Sequence, residues 1–360
     1  MNKRKIKKAI YRLSHLPSGV NFLKYAGNKI RSFQLRRAQS LEVAHPSTLM
    51  LELTNRCNLA CTTCPRVFDF GKAMDQGNMP KHEAMKIIDE VWPYLDSIGL
   101  TGMGETFIYN DIAEIAKYIK NKNKGIVISV STNAMLPDFL ERVAKVVGVI
   151  DTIQISIDGL NEVYEQIRKN AKFETLDRNI NALAKMCANT RTTLMLNMVV
   201  VKENYHQMPD VIKYAATTGV SYLDFSQFNL ASVTNIDTSY YDFYKSAEFL
   251  AVISEVEKLQ STTKELSITF NFKEGNGFKD CPFPWSHYYV CWNGEMAPCC
   301  AKPFPKEKSF GNAFDSGLMT VLNNKQYHAF RSAWYGNKTI DFCKKCHFTS
   351  CNSKNSQPLL

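Results

Sequence analysis

The stretch Leu49–Arg66, LMLELTNRCNLACTTCPR, decides how the rest of the chain is read. Leu49 to Leu53 is a short apolar run with polar flanks, which predicts a buried strand. Beyond it Cys57, Cys61 and Cys64 follow with the spacing C-x3-C-x2-C. Thiolates are the usual ligands of iron–sulfur clusters, and a four-iron cluster normally takes one from each of four cysteines. Three thiolates on one loop leave one iron without a protein ligand, open to another molecule. Two other readings stand beside this one. Cys61 and Cys64 could complete a zinc site with Cys343 and Cys346, although zinc ribbons space their halves by roughly 15–20 residues. Cysteine is also often a small core residue, which suits Cys187 in its helical pattern.

A strand followed by C-x3-C-x2-C resembles the first motif of the radical S-adenosylmethionine (radical SAM) superfamily. The resemblance implies a [4Fe–4S] cluster on Cys57, Cys61 and Cys64, with S-adenosylmethionine on the open iron. An electron from an external donor such as flavodoxin or ferredoxin would then cleave the sulfonium to methionine and a 5'-deoxyadenosyl radical, which abstracts hydrogen from substrate. The cofactors carry the hard chemistry; the protein positions and shields them. The residue before the last cysteine, usually aromatic in this family, is Thr63 here.

From residue 47 strands and helices alternate. Strands are expected over Leu49–Leu53, Ser97–Thr101, Ile126–Val130, Thr152–Ile157, Thr192–Val201 and Tyr222–Phe225. Helices are expected over His82–Trp92, with Met85, Ile88 and Trp92 on one face, then Asp111–Asn121, Phe139–Val147, Leu176–Ala188 and Met208–Thr218. This rhythm implies right-handed βαβ units and a parallel sheet. Periodicity does not separate a barrel from a doubly wound sheet; the resemblance implies a partial (β/α)6 parallel barrel. A long helix over Tyr240–Gln260 and an edge strand over Leu266–Phe272 follow.

Ligands of parallel α/β folds gather at the carboxyl ends of the strands, and the peculiar residues fall there. Strand two ends in Gly102-Met103-Gly104-Glu105, similar to the family's Gly-Gly-Glu motif, which implies cofactor contacts from Gly104 and Glu105. Strand three ends in Thr132-Asn133-Ala134, where many relatives have Thr-Asn-Gly, which places Asn133 near the ribose. Strand four gives Ser156-Ile157-Asp158-Gly159, then Tyr164 and Arg168, and the resemblance assigns Ser156 and Arg168 to the cofactor carboxylate. A solvated surface role for Arg168 and a plain turn at Asn133 are the alternatives.

Seven of the eleven cysteines lie in the last eighty residues. Cys281-x12-Gly294-x4-Cys299 followed by Cys343-x2-Cys346 resembles the auxiliary-cluster extension called SPASM, or its shortened twitch form. Asn293-Gly294 suits a hairpin turn. The resemblance implies one auxiliary [4Fe–4S] cluster on Cys281, Cys299, Cys343 and Cys346, leaving Cys291, Cys300 and Cys351 for other duties. Tetrahedral zinc is the competing reading of the same cysteines. The expected organisation is a basic leader over 1–46, the barrel over 47–270 and the SPASM/twitch-like region over 271–360.

The net charge of +10 is uneven: eleven Lys and Arg fall in residues 1–41, which hold no acid, and the remainder is close to neutral. Ile6, Ile10, Leu13 and Leu16 recur there at helical spacing. Such a leader is expected to pack on the barrel with its charges solvated, or to meet an anionic membrane surface or an acidic partner. No apolar run is long enough to span a bilayer, and Arg12 and Lys24 interrupt any signal-peptide core. Cysteine-rich composition without a secretory signal points to the cytoplasm, with a peripheral position at the inner membrane surface in the membrane reading. The leader is short for a peptide-recognition domain, which favours a small polar substrate such as a sugar, an aminocyclitol or a nucleotide-linked sugar, to be dehydrogenated or epimerised. Peptide or protein maturation and RNA modification are the alternatives, with a non-catalytic iron–sulfur or zinc scaffold behind them.

Overall fold

The computed structural model describes residues 14–270, 272, 281–336, 340–347 and 349. Strands β1 (Thr48–Leu51), β2 (Ser97–Gly99), β3 (Val127–Thr132), β4 (Thr152–Ser156), β5 (Thr193–Val200), β6 (Tyr222–Gln227) and β7 (Ser267–Phe270) are joined by β8 (Tyr288–Val290) and β9 (Met296–Ala297) in one sheet. Its order is β7-β6-β5-β4-β3-β2-β1-β8-β9, parallel throughout except for the β8–β9 hairpin. Among the described residues, the α-helices of six residues or more are α1 (Val20–Arg37), α2 (Lys81–Val91), α3 (Ile112–Lys122), α4 (Phe139–Ala144), α5 (Asn161–Ile167), α6 (Phe173–Cys187), α7 (Met208–Thr217), α8 (Ala247–Thr262) and α9 (Lys325–Tyr335).

From β1 to β7 the spatial order is the sequence order, so right-handed crossovers place every connecting helix on the same face of the sheet. This excludes the doubly wound arrangement that periodicity left open. The two faces differ in chemistry accordingly. Leu49, Leu51, Ile98, Ile128, Val130, Ile153, Ile155, Leu194, Leu196, Leu223 and Phe225 join the helices in one continuous apolar core. Helix α6 meets it with Leu176, Ile180, Leu183 and Cys187, and α3 with Ile112, Ile115, Ala116 and Ile119. On the other face Ser131 stands beside Gln154, Ser156 beside Asn197, and Asn197 beside Asp224. A parallel sheet covered on both sides would be apolar on both; this one turns a polar face inward. The sheet does not close, because β7 and β9 are its two edges. It is a partial barrel.

One expectation shifts, one widens and one lies outside the described residues. The stripe of Met85, Ile88 and Trp92 on α2 does meet the core, Ile88 fully buried and Met85 and Trp92 half-buried against it, and Ala84, Ile87 and Val91 widen that face. The single helix expected over Tyr240–Gln260 is broken: a 3-10 segment, Thr238–Lys245, precedes α8. Tyr244 donates its hydroxyl to the Val200 carbonyl at 2.7 Å, Tyr241 donates to Lys345 at 2.7 Å, and extended Ser246 caps α8 by accepting the Phe249 N–H. Of the leader stripe, Ile6, Ile10 and Leu13 lie outside the described residues; the described part of the leader carries α1.

Arg331 of α9 is fully buried and ties three remote segments together. Its Nε donates to the Pro284 carbonyl at 2.9 Å, and Nη1 donates to Leu41 and Leu322 at 2.8 Å each. An Arg331→Ala chain leaves three carbonyls unsatisfied, and we expect a loss of about 3–5 kcal/mol of stability. Arg331→Lys recovers only part of it, because one ammonium cannot serve three divergent acceptors. Urea unfolding of the three proteins checks this; equal midpoints would refute it.

Candidate active site

The three cysteines of the opening motif sit on the loop that leaves β1. Asn55 shapes that loop by donating to Asp75 O at 2.7 Å and accepting from Gly77 N at 2.8 Å. Further on, Thr62 N donates to Ile167 O at 2.9 Å, so the loop runs along the end of α5. The structure therefore brings the motif of strand one to that of strand four: Arg168 Nη1 lies 3.8 Å from Cys61 Sγ. From strand three, Asn133 Nδ2 lies 3.8 Å from Cys57 Sγ and 2.9 Å from Asn58 Oδ1. Burial pushes all three thiols up, Cys61 to about 12, with the Arg168 charge pulling it partly back. Thiols in such a place ionise when a metal takes the proton's position, which is the behaviour of a ligand set. Among the described residues no three His, Cys, Asp or Glu side chains converge on a single ion-sized point. A cluster gripped at its corners does not require that convergence.

The glycine turn after β2 is packed, not open. A Cβ on Gly104 would meet Arg56 O at 2.4 Å and Thr54 O at 2.7 Å, so glycine here lets the turn lie on the cysteine loop. Glu105 N completes the contact by donating to Arg56 O at 2.8 Å. The Glu105 carboxylate is buried and fully engaged: it accepts from Thr132 Oγ1 and Asn133 N at 2.7 Å each and from Phe107 N at 3.1 Å. Burial still leaves its carboxyl above the ordinary range. Glu105 thus fixes the strand-three loop and aims Asn133. Ala134 stands at φ 57°, the left-handed conformation that explains why glycine suits this position.

Arg168 is buried, not solvated. Its Nε pairs with Asp158 Oδ2 at 2.9 Å, while Asp158 Oδ1 accepts Val199 N at 2.9 Å. The aspartate of the strand-four motif is therefore an internal brace that points the guanidinium at the cluster loop. Ser156 is half-buried on the polar face, in register with Asn197.

The carboxyl-terminal cysteines gather around the β8–β9 hairpin. Cys281 precedes β8, Cys299 follows β9, and Gly294 at φ 85° makes the turn between them. Burial pushes the Cys281 thiol up to about 11, with the charges of Cys346 and Cys300 adding to it. Cys299 and Cys343 are raised in the same way, and each feels Cys346. Cys281, Cys299 and Cys343 are thus each within electrostatic reach of Cys346, and Cys300 is within reach of Cys281 and Cys299. Cys291 does not: its thiol faces Pro303 O at 3.6 Å in a small apolar cluster with Tyr289 and Ala297. Cys351 lies outside the described residues. Cys187 is a buried end of α6.

Sequence reasoning missed two residues. Glu52, inside the apolar run of strand one, is only 2% exposed and accepts from Met103 N at 2.7 Å, Tyr289 OH at 2.5 Å and Trp292 N at 3.3 Å. A Cβ on Gly102 would meet Glu52 Cγ at 2.1 Å, which accounts for that glycine. An acid in a buried strand was the available signal. Asn229, after β6, reaches Cys346 Sγ at 3.6 Å, and no motif marks it.

Comparison with known proteins agrees with this architecture. Residues 51–215 match the radical SAM superfamily and residues 281–347 the SPASM iron–sulfur cluster-binding domain. The tungsten-containing aldehyde ferredoxin oxidoreductase cofactor-modifying protein of Pyrococcus furiosus is 26% identical over 79% of this chain and 82% of its own length. The antilisterial bacteriocin subtilosin biosynthesis protein AlbA of Bacillus subtilis is 22% identical over 84% of this chain and 65% of its own. Streptococcus suis SuiB, solved with S-adenosylmethionine, superposes with a TM-score of 0.65 at 17% identity, over 92% of this chain and 78% of that one; SuiB has also been solved with the precursor peptide SuiA. Two domain matches, in the order and at the cysteines that the geometry brings together, give the conclusion: this chain belongs to the radical SAM superfamily, in the group that carries a SPASM domain.

Proposed function

We propose that this radical SAM enzyme modifies a peptide or protein substrate. The carrying observation is that similarity through both domains leads to a protein named for cofactor modification and another for bacteriocin biosynthesis. The shared fold has been captured with a precursor peptide in SuiB, which supports the same reading. It takes precedence over the small polar substrate favoured by the sequence. The inner polar face, where Asp224 accepts from Ser226 Oγ at 3.0 Å and Asn197 Nδ2 donates to Ser226 Oγ at 2.6 Å, would also suit a hydroxyl-rich small molecule. That remains the second reading.

In either case the cluster and S-adenosylmethionine, when bound, supply the hydrogen-abstracting oxidant. Cys57, Cys61 and Cys64 would hold the cluster. Gly104 seats its loop, Glu105 sets Asn133 toward the cofactor, and Asp158 holds Arg168 beside it. Ser156 offers a hydroxyl to the cofactor carboxylate. Cys281, Cys299, Cys343 and Cys346 would hold one auxiliary [4Fe–4S] cluster, which would supply an electron acceptor for an oxidation at substrate.

Reconstituted protein should therefore contain about eight irons per chain. Replacing Cys57, Cys61 and Cys64 by Ala should leave about four and abolish formation of 5'-deoxyadenosine. Iron analysis and anaerobic chromatography test both, and about twelve irons in the wild type would show the count to be wrong.

For the substrate, the reduced enzyme is incubated with precursor peptides encoded beside its gene, and in parallel with a panel of sugars and aminocyclitols. We expect 5'-deoxyadenosine to form in step with a mass change in a peptide. Turnover coupled to a sugar, with every peptide unchanged, would overturn the peptide reading and leave the superfamily assignment untouched.

A further inference from the structure

A helix packed on a globular body ordinarily turns its apolar stripe inward and its polar residues out. Helix α1 does the reverse. Its contacts with the body are polar: buried Asn28 donates to His45 O at 2.9 Å and accepts from His45 N at 3.0 Å. Tyr25 donates to Asp96 Oδ1 at 2.7 Å, and Lys29 pairs with Asp96 Oδ2 at 2.6 Å. Asn28 is the only buried residue of the helix.

The apolar residues point away. Val20 and Leu23 are each 68% exposed, Phe33 65%, Ile30 59% and Phe22 42%. Among the described residues, these are five of the seven large hydrophobic side chains left exposed; the others are Leu16, which precedes the helix beside Trp92, and Leu250. Isolated exposed leucines need no explanation, but a contiguous apolar strip does. Lys24, Arg31 and Arg37 are exposed around this strip, and the helix has no acid in its first turn and Arg36 and Arg37 in its last.

We propose that the outer face of α1 is a binding surface for an anionic lipid bilayer. Apolar side chains that enter the headgroup boundary, flanked by cations, are the composition such a surface requires. Eleven Lys and Arg in residues 1–41 against no acid give the charge complementarity. The same charge argues against a second copy as the occupant, because pairing two such faces would set an excess of like charges against each other, which Glu42, 3.8 Å from Arg31, offsets only in part. The anchoring through Asn28, Tyr25 and Lys29 fixes how the enzyme sits. The apolar strip faces the lipid while the body hangs from the polar side of the helix. No described helix is long and apolar enough to cross a membrane, so the contact is peripheral.

The test uses the full chain with reconstituted clusters. Sedimentation is measured with vesicles of phosphatidylcholine alone and of phosphatidylcholine mixed with phosphatidylglycerol. We expect binding to the mixed vesicles only, weakened at high salt. The variant Leu23→Ser, Ile30→Ser, Phe33→Ser should bind at least tenfold more weakly, with iron content and unfolding midpoint unchanged because all three side chains are exposed. Three results would each overturn the proposal. One is no binding to either vesicle. The second is binding that the triple variant retains within a factor of two, since that assigns it to charge alone. The third is a concentration-dependent dimer that the triple variant abolishes while vesicles are ignored.

Discussion

A single buried carboxylate holds the functional end of this molecule together. Glu52 leaves β1 where the cysteine loop begins, and its oxygens receive the backbone of the glycine turn at Met103 and both Tyr289 and Trp292 of the auxiliary hairpin. Burial pushes its carboxyl above the ordinary range, and the three donors are what make the site tolerable for an acid. Gly102 exists as glycine because the side chain of Glu52 fills the space a Cβ would need. The cluster loop, the turn that supports it and the SPASM hairpin are thus registered on one side chain.

The candidate active site follows the same economy. Residues that the motifs mark for the cofactor are held by others that never face it. Glu105 spends both oxygens on the backbone and hydroxyl of the next loop, and Asp158 spends its own on Arg168 and β5. Such braces limit the rotamers open to Asn133 and Arg168, and a fixed geometry is what positions a reactive group.

Much of this was legible in the sequence. Cys57, Cys61 and Cys64 declare themselves by spacing, and strands such as β5 by a β-branched and apolar run broken only by Asn197. The winding of the sheet was legible only through the family resemblance, because strand order is a relation between distant segments that no local period encodes. The break at Ser246 escaped because Tyr241 and Tyr244 satisfy a helical pattern while their hydroxyls bond to Lys345 and Val200, remote in sequence. Asn229 beside Cys346 escaped for the same reason. The substrate lay further out of reach, since leader length and residue type say little about what a polar cavity receives.

The parallel pairing of β1 with β8 has a consequence for how the protein is made. β1 can pair with β2 as soon as residues 97–99 have been synthesised, but its other edge waits for Tyr288–Val290. During that interval the nascent barrel carries an unfilled edge beside its cysteine loop, a template for errant strand addition. Contacts between segments so far apart in sequence form slowly. Tyr289 and Trp292 reach Glu52 only once β8 docks. The protein shell of the first cluster is therefore finished late, only after residue 292 of 360 exists.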